Sequence, residues 1–196
     1  QIFRIGLHLG DVIEDGGDIF GDAVNIAARL QTMCESGGIC LSASLFDQAV
    51  ERDPRSTRGL GGVAFAYRLG GQFGWLPERE AAMRKAEQAT ERLRQIDEND
   101  FFTLLARESI ATGRGDWDAL LVIVDTMLER FPSHAPSLGY RAMALTGLGR
   151  FDECLDAGKQ ALRIGPRDTL VPAWTFLIAN CHFMRTDYAQ AAELAR

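Results

Sequence analysis

The chain has 196 residues, 46% of them hydrophobic and 24% charged, and a formal net charge of −6. That length can bury a core for one large or two small domains, and the composition is that of an ordinary globular protein. The first 60 residues hold 5 basic and 9 acidic side chains and the remainder is also mildly acidic, which excludes the basic surface of a nucleic-acid-binding protein. Cys34, Cys40, Cys154 and Cys181 form no CxxC pair, so neither a zinc site nor a disulfide framework is suggested, and a reduced cytoplasmic setting is expected. No apolar run approaches the roughly 18 residues of a membrane span. Strand-like sequence at Gln1, with no methionine before it, and helix-like sequence at Arg196 lead us to expect a piece of a longer protein.

In chain order, Phe3, Ile5, Leu7 and Leu9 alternate with Arg4, Gly6, His8 and Gly10, the period of a strand with one face buried. Val12 and Ile13 extend it, and the stretch Glu14 to Asp18, "EDGGD", supplies turn chemistry. From Asp22 to about Cys34 the apolar residues Ala23, Ile26, Ala27, Leu30 and Met33 fall at helical spacing. Asp22, Asn25, Arg29 and Thr32 make the opposite stripe, and Asp22 is placed to cap the helix. "SGG", residues 36–38, closes the helix, and "GICLS" reads as a short buried strand. Residues up to about Ser42 therefore predict strand, helix, strand. By pattern alone, such a polar stripe on a helix is an ordinary solvated face.

From Leu45 to Trp75 the reading is open. Val63, Phe65, Tyr67 and Leu69 alternate as in a strand, whereas five glycines between Gly59 and Gly71 and the repeats downstream favour a glycine-rich helix. Those repeats show as a period. Pro132 and Pro166 lie 34 residues apart, as do Trp117 and Phe151, and Tyr188 follows Phe151 by 37. The stretch "LPEREAAMRKAEQATERLRQ", Leu76 to Gln95, is a strongly amphipathic helix.

These features resemble tetratricopeptide repeats, helix pairs of 34 residues with small residues where helices cross. Ala142, Cys154, Ala161, Ala179 and Ala191 suit such crossings, while Glu108 and Leu120 stand where small residues are expected. A helix pair that cannot bury its own apolar face stacks on its neighbours and builds an extended surface, for which an unidentified protein or peptide is the expected partner. His134 and His182 stand alone in sequence and are expected to be packed or exposed side chains rather than metal ligands.

The stretch "FRIGLHLGDVIEDGGDIFGDAVNIAARLQTMCESGGICLS", Phe3 to Ser42, resembles the central segment of class III adenylate and guanylate cyclase catalytic domains, in the bacterial branch that often carries tetratricopeptide repeats. The expected fold is α+β: a truncated strand-helix-strand fragment over residues 1–52, then an α-helical repeat region over 53–196, mostly α overall. The resemblance implies conversion of a nucleoside triphosphate to a 3′,5′-cyclic nucleotide and pyrophosphate, in intracellular signalling. It places the purine-reading acid on Asp18, which leans toward ATP, the ribose-orienting amide on Asn25, and the arginine that stabilises the α-phosphate transition state on Arg29. A guanidinium suits that task because its fork matches phosphate oxygens and meets charge that grows during the reaction.

Family enzymes also use two Mg2+ or Mn2+ ions held by aspartates on strands preceding this segment. Those ligands are not in this chain, and Asp11 and Asp15 lie at hairpin positions that do not bind metal in the family, so no metal ligand is assigned. The family site forms between two catalytic domains, which implies a second cyclase domain as partner. The chain by itself is expected to be inactive, and the alternative reading is a non-catalytic interaction module with a vestigial cyclase segment.

Overall fold

The computed structural model of the chain describes residues 4–34, 39–76 and 78–194. Phe3 and the turn at 36–38 lie outside the described residues. Among those described are β1 (Ile5–Leu7), β2 (Ile13–Asp15), β3 (Asp18–Phe20), α1 (Asp22–Met33), β4 (Ile39–Leu41), α2 (Ala43–Arg52), α3 (Thr57–Gln72), α4 (Arg79–Ile96), α5 (Phe101–Arg114), α6 (Trp117–Arg130), α7 (Ala135–Gly147), α8 (Phe151–Ile164), α9 (Val171–Met184) and α10 (Tyr188–Leu194). The chain is mostly α-helical. It divides into two compact units, Gln1–Thr103 and Leu104–Arg196, with the division inside α5.

The first unit begins with a β-α-β arrangement. β1 pairs with β4 in parallel, Gly6 opposite Cys40, and α1 is the crossover between them. Gly6 sets how closely α1 lies on the strand: a Cβ there would be 2.1 Å from the Ala27 carbonyl oxygen. Gln31 Nε2 donates to the Arg4 carbonyl at 3.2 Å and the Cys34 thiol to that of Ile5 at 3.4 Å, which fastens the end of α1 to the same strand.

Two expectations change here. Ile5, Leu7 and Leu9 form an exposed face, because α1 covers the opposite side, where Gly6 gives it room. The ladder also ends at Leu7, since β4 is only three residues long, and Ile13 belongs to a separate antiparallel hairpin of β2 and β3. Gly16 and Gly17, with φ of 63° and 85°, make its two-residue turn, a conformation that glycine adopts without a Cβ penalty. Gly21 is the N-cap of α1, with no side-chain cap hydrogen bond, and Asp22 falls in the first turn instead. Its carboxylate there still complements the positive end of the helix dipole.

The segment with two readings is helical. Ser56 caps α3 by accepting from the Gly59 backbone N–H at 3.2 Å. The glycines that weaken helix propensity are offset by close packing. The Phe46 ring lies over Gly62, and Phe102 lies 3.0 Å from where a Cβ of Gly61 would stand. Ala82, Ala86, Ala89, Thr90 and Leu93 give α4 the buried stripe that its sequence predicts, and it packs on α3. Tyr67 Oη donates to Asp47 Oδ2 at 2.5 Å and Lys85 Nζ donates to Tyr67 Oη at 2.9 Å, tying α2, α3 and α4 together.

In the second unit α6 to α10 follow as helices each packed on the next. The sequence period is present in the backbone: Gly115, Gly149 and Thr186 have φ of 68°, 73° and 64°, spaced 34 and then 37 residues apart. At each, the residue that follows donates its N–H to a carbonyl five positions back, Asp116 to Ala111, Arg150 to Leu145 and Asp187 to His182. This is the left-handed turn that closes helices, and its usual occupant is glycine. Thr186 is the exception, and a β-branched residue in that region carries strain of about 1–2 kcal/mol. Thr186→Gly is therefore expected to raise stability by about 1 kcal/mol, read as a higher midpoint in urea denaturation.

Ala142, Cys154, Ala161, Ala179 and Ala191 are buried, as small residues at helix crossings must be. The cysteines depart from expectation: Cys154 and Cys181, 27 residues apart, form a disulfide joining α8 to α9. Cys34 and Cys40 are free. Sequence spacing carried no sign of that pairing because it depends on how α9 packs against α8.

Candidate functional site

The residues singled out by sequence lie on the hairpin and on α1. Asp18 opens β3, is exposed, and its Oδ1 accepts from the Ile19 backbone N–H at 3.1 Å. Asn25 and Arg29 are both exposed, one turn apart on α1, so roughly 6 Å of axial rise separates them on one side of the helix. Four residues hold α1 in place: Ala23 and Cys34 by burial, Gln31 through its bond to Arg4, and Gly6 through close approach. The structure thus brings Asn25 and Arg29 onto one helix face. Asp18 is carried on the hairpin that leads into that helix, and its described bond is local. An amide donor and acceptor beside a guanidinium, both open to solvent, can engage a ligand that has a polar ring and an anionic group.

Among the described residues, no group of three or more His, Cys, Asp or Glu side chains is arranged to hold a metal ion. Asp11, Glu14, Asp15, Asp18 and Asp22 are all exposed along the hairpin and the start of α1, and no step is derived through a metal held by them.

A second constellation lies in the repeat-like unit, where sequence spacing left its members as isolated residues. Glu108 on α5 is 3% exposed and Ser137 on α7 is fully buried. Ser137 Oγ donates to Glu108 Oε2 at 2.8 Å, and His134 Nδ1 lies 2.8 Å from the same Ser137 oxygen. Burial pushes the Glu108 carboxyl up to about 7, with the Ser137 bond working the other way. Burial also holds the half-buried His134 below its ordinary value, partly offset by the Asp168 carboxylate. The available signal was Glu108 itself, a charged residue at a crossing where the repeat pattern calls for a small one. Its partners could not be read because they lie 29 and 26 residues away. His182, the other lone histidine, has its Nδ1 3.1 Å from Asp187 Oδ2 at the turn after α9.

On the surface of this unit, a concavity of about 450 Å3 is lined by Asp125, Leu128, Pro132, Leu138, Arg141 and Gln160, among others. Arg141 Nε donates to Asp125 Oδ1 at 2.7 Å along it. No helix among the described residues is long and apolar enough to cross a membrane.

Comparison with known proteins gives one informative likeness. A stretch of 46 residues is 37% identical to the protein named "Putative adenylate cyclase 3" of Rhizobium meliloti (strain 1021). The match covers 24% of this chain and 8% of that protein, so this chain spans a small part of its relative. No protein-family model matches the chain. The chain contains a cyclase-like segment.

Proposed function

We propose that the hairpin and α1 are the purine, sugar and phosphate side of a class III nucleotide cyclase site, with the helical region from residue 53 onward as a tetratricopeptide-type surface for a protein or peptide. The observation that carries this reading is the likeness to the Rhizobium protein over 46 residues, together with Asn25 and Arg29 exposed one turn apart on α1. In the reaction, Asp18 accepts from the exocyclic amine of adenine, which favours ATP. Asn25 orients the ribose, and Arg29 stabilises the α-phosphate as the 3′-hydroxyl attacks and pyrophosphate leaves. A preplaced guanidinium stabilises charge that is greater in the transition state than in the substrate.

In the family, two Mg2+ or Mn2+ ions activate the hydroxyl and neutralise the leaving group. Among the described residues there is no ligand set for them, so a second cyclase domain would contribute the metal aspartates and the chain alone is inactive. A non-catalytic interaction module is the second reading, favoured by the long helical stretch from Ala43 to Leu194.

The test is cyclic nucleotide formation from ATP and from GTP with Mg2+ or Mn2+. The chain is assayed alone and mixed with an intact cyclase catalytic domain whose own transition-state arginine is mutated. Activity is expected only in the mixture, with ATP preferred, and Arg29→Ala should lower it about 100-fold or more. No product in the mixture would refute the site assignment and leave the interaction reading.

A further inference from the structure

We propose that Cys34 and Cys40 are a dithiol modification site, oxidised to an intramolecular disulfide by a small-molecule disulfide such as glutathione disulfide, with the partly exposed Cys40 reacting first and the buried Cys34 completing the bond. Both cysteines are free. Cys34 follows the last turn of α1, its backbone N–H bonded to the Leu30 and Gln31 carbonyls, and its thiol donates to the Ile5 carbonyl of β1 at 3.4 Å. Cys40 is the middle residue of β4 and stands opposite Gly6 of β1. Residues paired in this way share one face of a sheet. The Gly6 face is the one that α1 covers, since a Cβ there would lie 2.1 Å from the Ala27 carbonyl oxygen and 2.4 Å from the Gln31 backbone nitrogen. The Cys40 side chain therefore stands on the helix side of the sheet, where Cys34 ends that helix with its sulfur against the same pair of strands. The two thiols act on each other: a hydrogen bond with Cys34 pushes the Cys40 thiol up from its ordinary value, and burial adds to it. Among the described residues no third His, Cys, Asp or Glu joins the pair in a metal-binding group, so its chemistry is that of two thiols.

The oxidation runs as two exchanges. The Cys40 thiolate attacks one sulfur of glutathione disulfide: a bond from Cys40 Sγ to that sulfur forms, the original S–S bond breaks and one glutathione leaves. Cys34 Sγ then attacks Cys40 Sγ, the internal disulfide forms and the second glutathione leaves. Two protein thiols are oxidised, one disulfide is reduced, and the two thiol protons end on the departing glutathiones. Access sets the order of events. Cys34 is 5% exposed, which closes it to a tripeptide, whereas Cys40 is partly exposed. With its thiol pushed up, Cys40 reacts through a small thiolate fraction, and once it carries glutathione the neighbouring Cys34 is the thiol placed to displace it. The product joins the end of α1 to the middle of β4 and fastens the helix that carries Asn25 and Arg29 to its sheet by a covalent bond.

The experiment takes the full folded chain, purified under reducing conditions, and incubates it with glutathione disulfide. Remaining thiols are blocked with N-ethylmaleimide before unfolding and trypsin digestion. No Lys or Arg lies between Leu30 and Arg52, so both cysteines fall on one peptide. In the parent that peptide should come out lighter by two hydrogen atoms, with neither glutathione nor maleimide attached. In Cys34→Ser it should instead keep one glutathione, on Cys40. In Cys40→Ser, where the remaining thiol is buried, uptake of glutathione should be at least about tenfold slower than in Cys34→Ser. Should a serine variant fail to fold, brief iodoacetamide labelling of the reduced parent serves instead, and Cys40 should be marked at least about tenfold faster than Cys34. A parent peptide that stays unmodified or stops at a glutathione adduct would overturn the proposal, as would equal reaction rates at the two cysteines.

Discussion

Trp174→Ala is expected to lower the stability of the repeat-like unit by about 3–5 kcal/mol, the usual range for removing a large buried aromatic. Trp174 is 2% exposed, packs with Leu138 and Ala161, and meets Tyr140 edge-on at 5.3 Å between ring centres. Its ring lies on the backbone of α7: a Cβ on Gly139 would stand 2.2 Å from Trp174 Cε2. Gly139→Ala should therefore destabilise by about 1–3 kcal/mol, because an aromatic ring held on several sides cannot give way as the end of a flexible chain can. In the Trp174→Ala background the clash is gone. The same glycine replacement should then help by up to about 1 kcal/mol through helix propensity. A double-mutant cycle in urea, followed by far-ultraviolet circular dichroism, would read this sign change directly. Equal costs in both backgrounds would show that the ring does not sit over Gly139.

How far such features could be read in the sequence depends on whether their cause is local. The helix Asp22–Met33 and the turn at Gly16–Gly17 were both legible. Apolar spacing and left-handed backbone preference act within a few residues. The faces of β1 were not legible, because alternation says that two faces differ and does not say which one a helix will cover. Gly6 decided it, by letting α1 lie on the side away from Ile5 and Leu7. Residues 57–72 alternate like a strand at Val63 to Leu69, yet form α3 because Phe46 and Phe102 fill the space that the glycines leave. In the candidate site, the placement of Asn25 and Arg29 on one face follows from their spacing of four. The approach of Glu108 to Ser137 and His134 is tertiary, and its one sign in the sequence was a charge where the repeat pattern calls for a small residue.

Glu108→Gln should make the chain more stable at pH 8, by up to about 3 kcal/mol relative to the difference between variant and parent at pH 4.5. The sign follows from proton binding. The carboxyl is held at about 7 in the folded chain against an ordinary 4.5, so between these values the folded state binds the proton that the unfolded state has released. The parent therefore loses stability as pH rises from about 4.5, and the loss levels off above about 7. Those 2.5 units correspond to roughly 3 kcal/mol at about 1.4 kcal/mol per unit. Little solvent screening reduces this figure, since Glu108 is almost completely buried. Glutamine keeps the shape and a hydrogen-bond partner for Ser137 but carries no charge into the crossing of α5 and α7. Urea midpoints measured for both proteins from pH 4.5 to 8.5 cancel the other carboxylates, such as Glu153, whose pKa the Arg150 guanidinium lowers. A parent and variant whose curves stay parallel across that range would mean that the Glu108 carboxyl titrates in the folded chain as it does in the unfolded one. Curves that separate progressively with rising pH would identify this one buried acid as the cause.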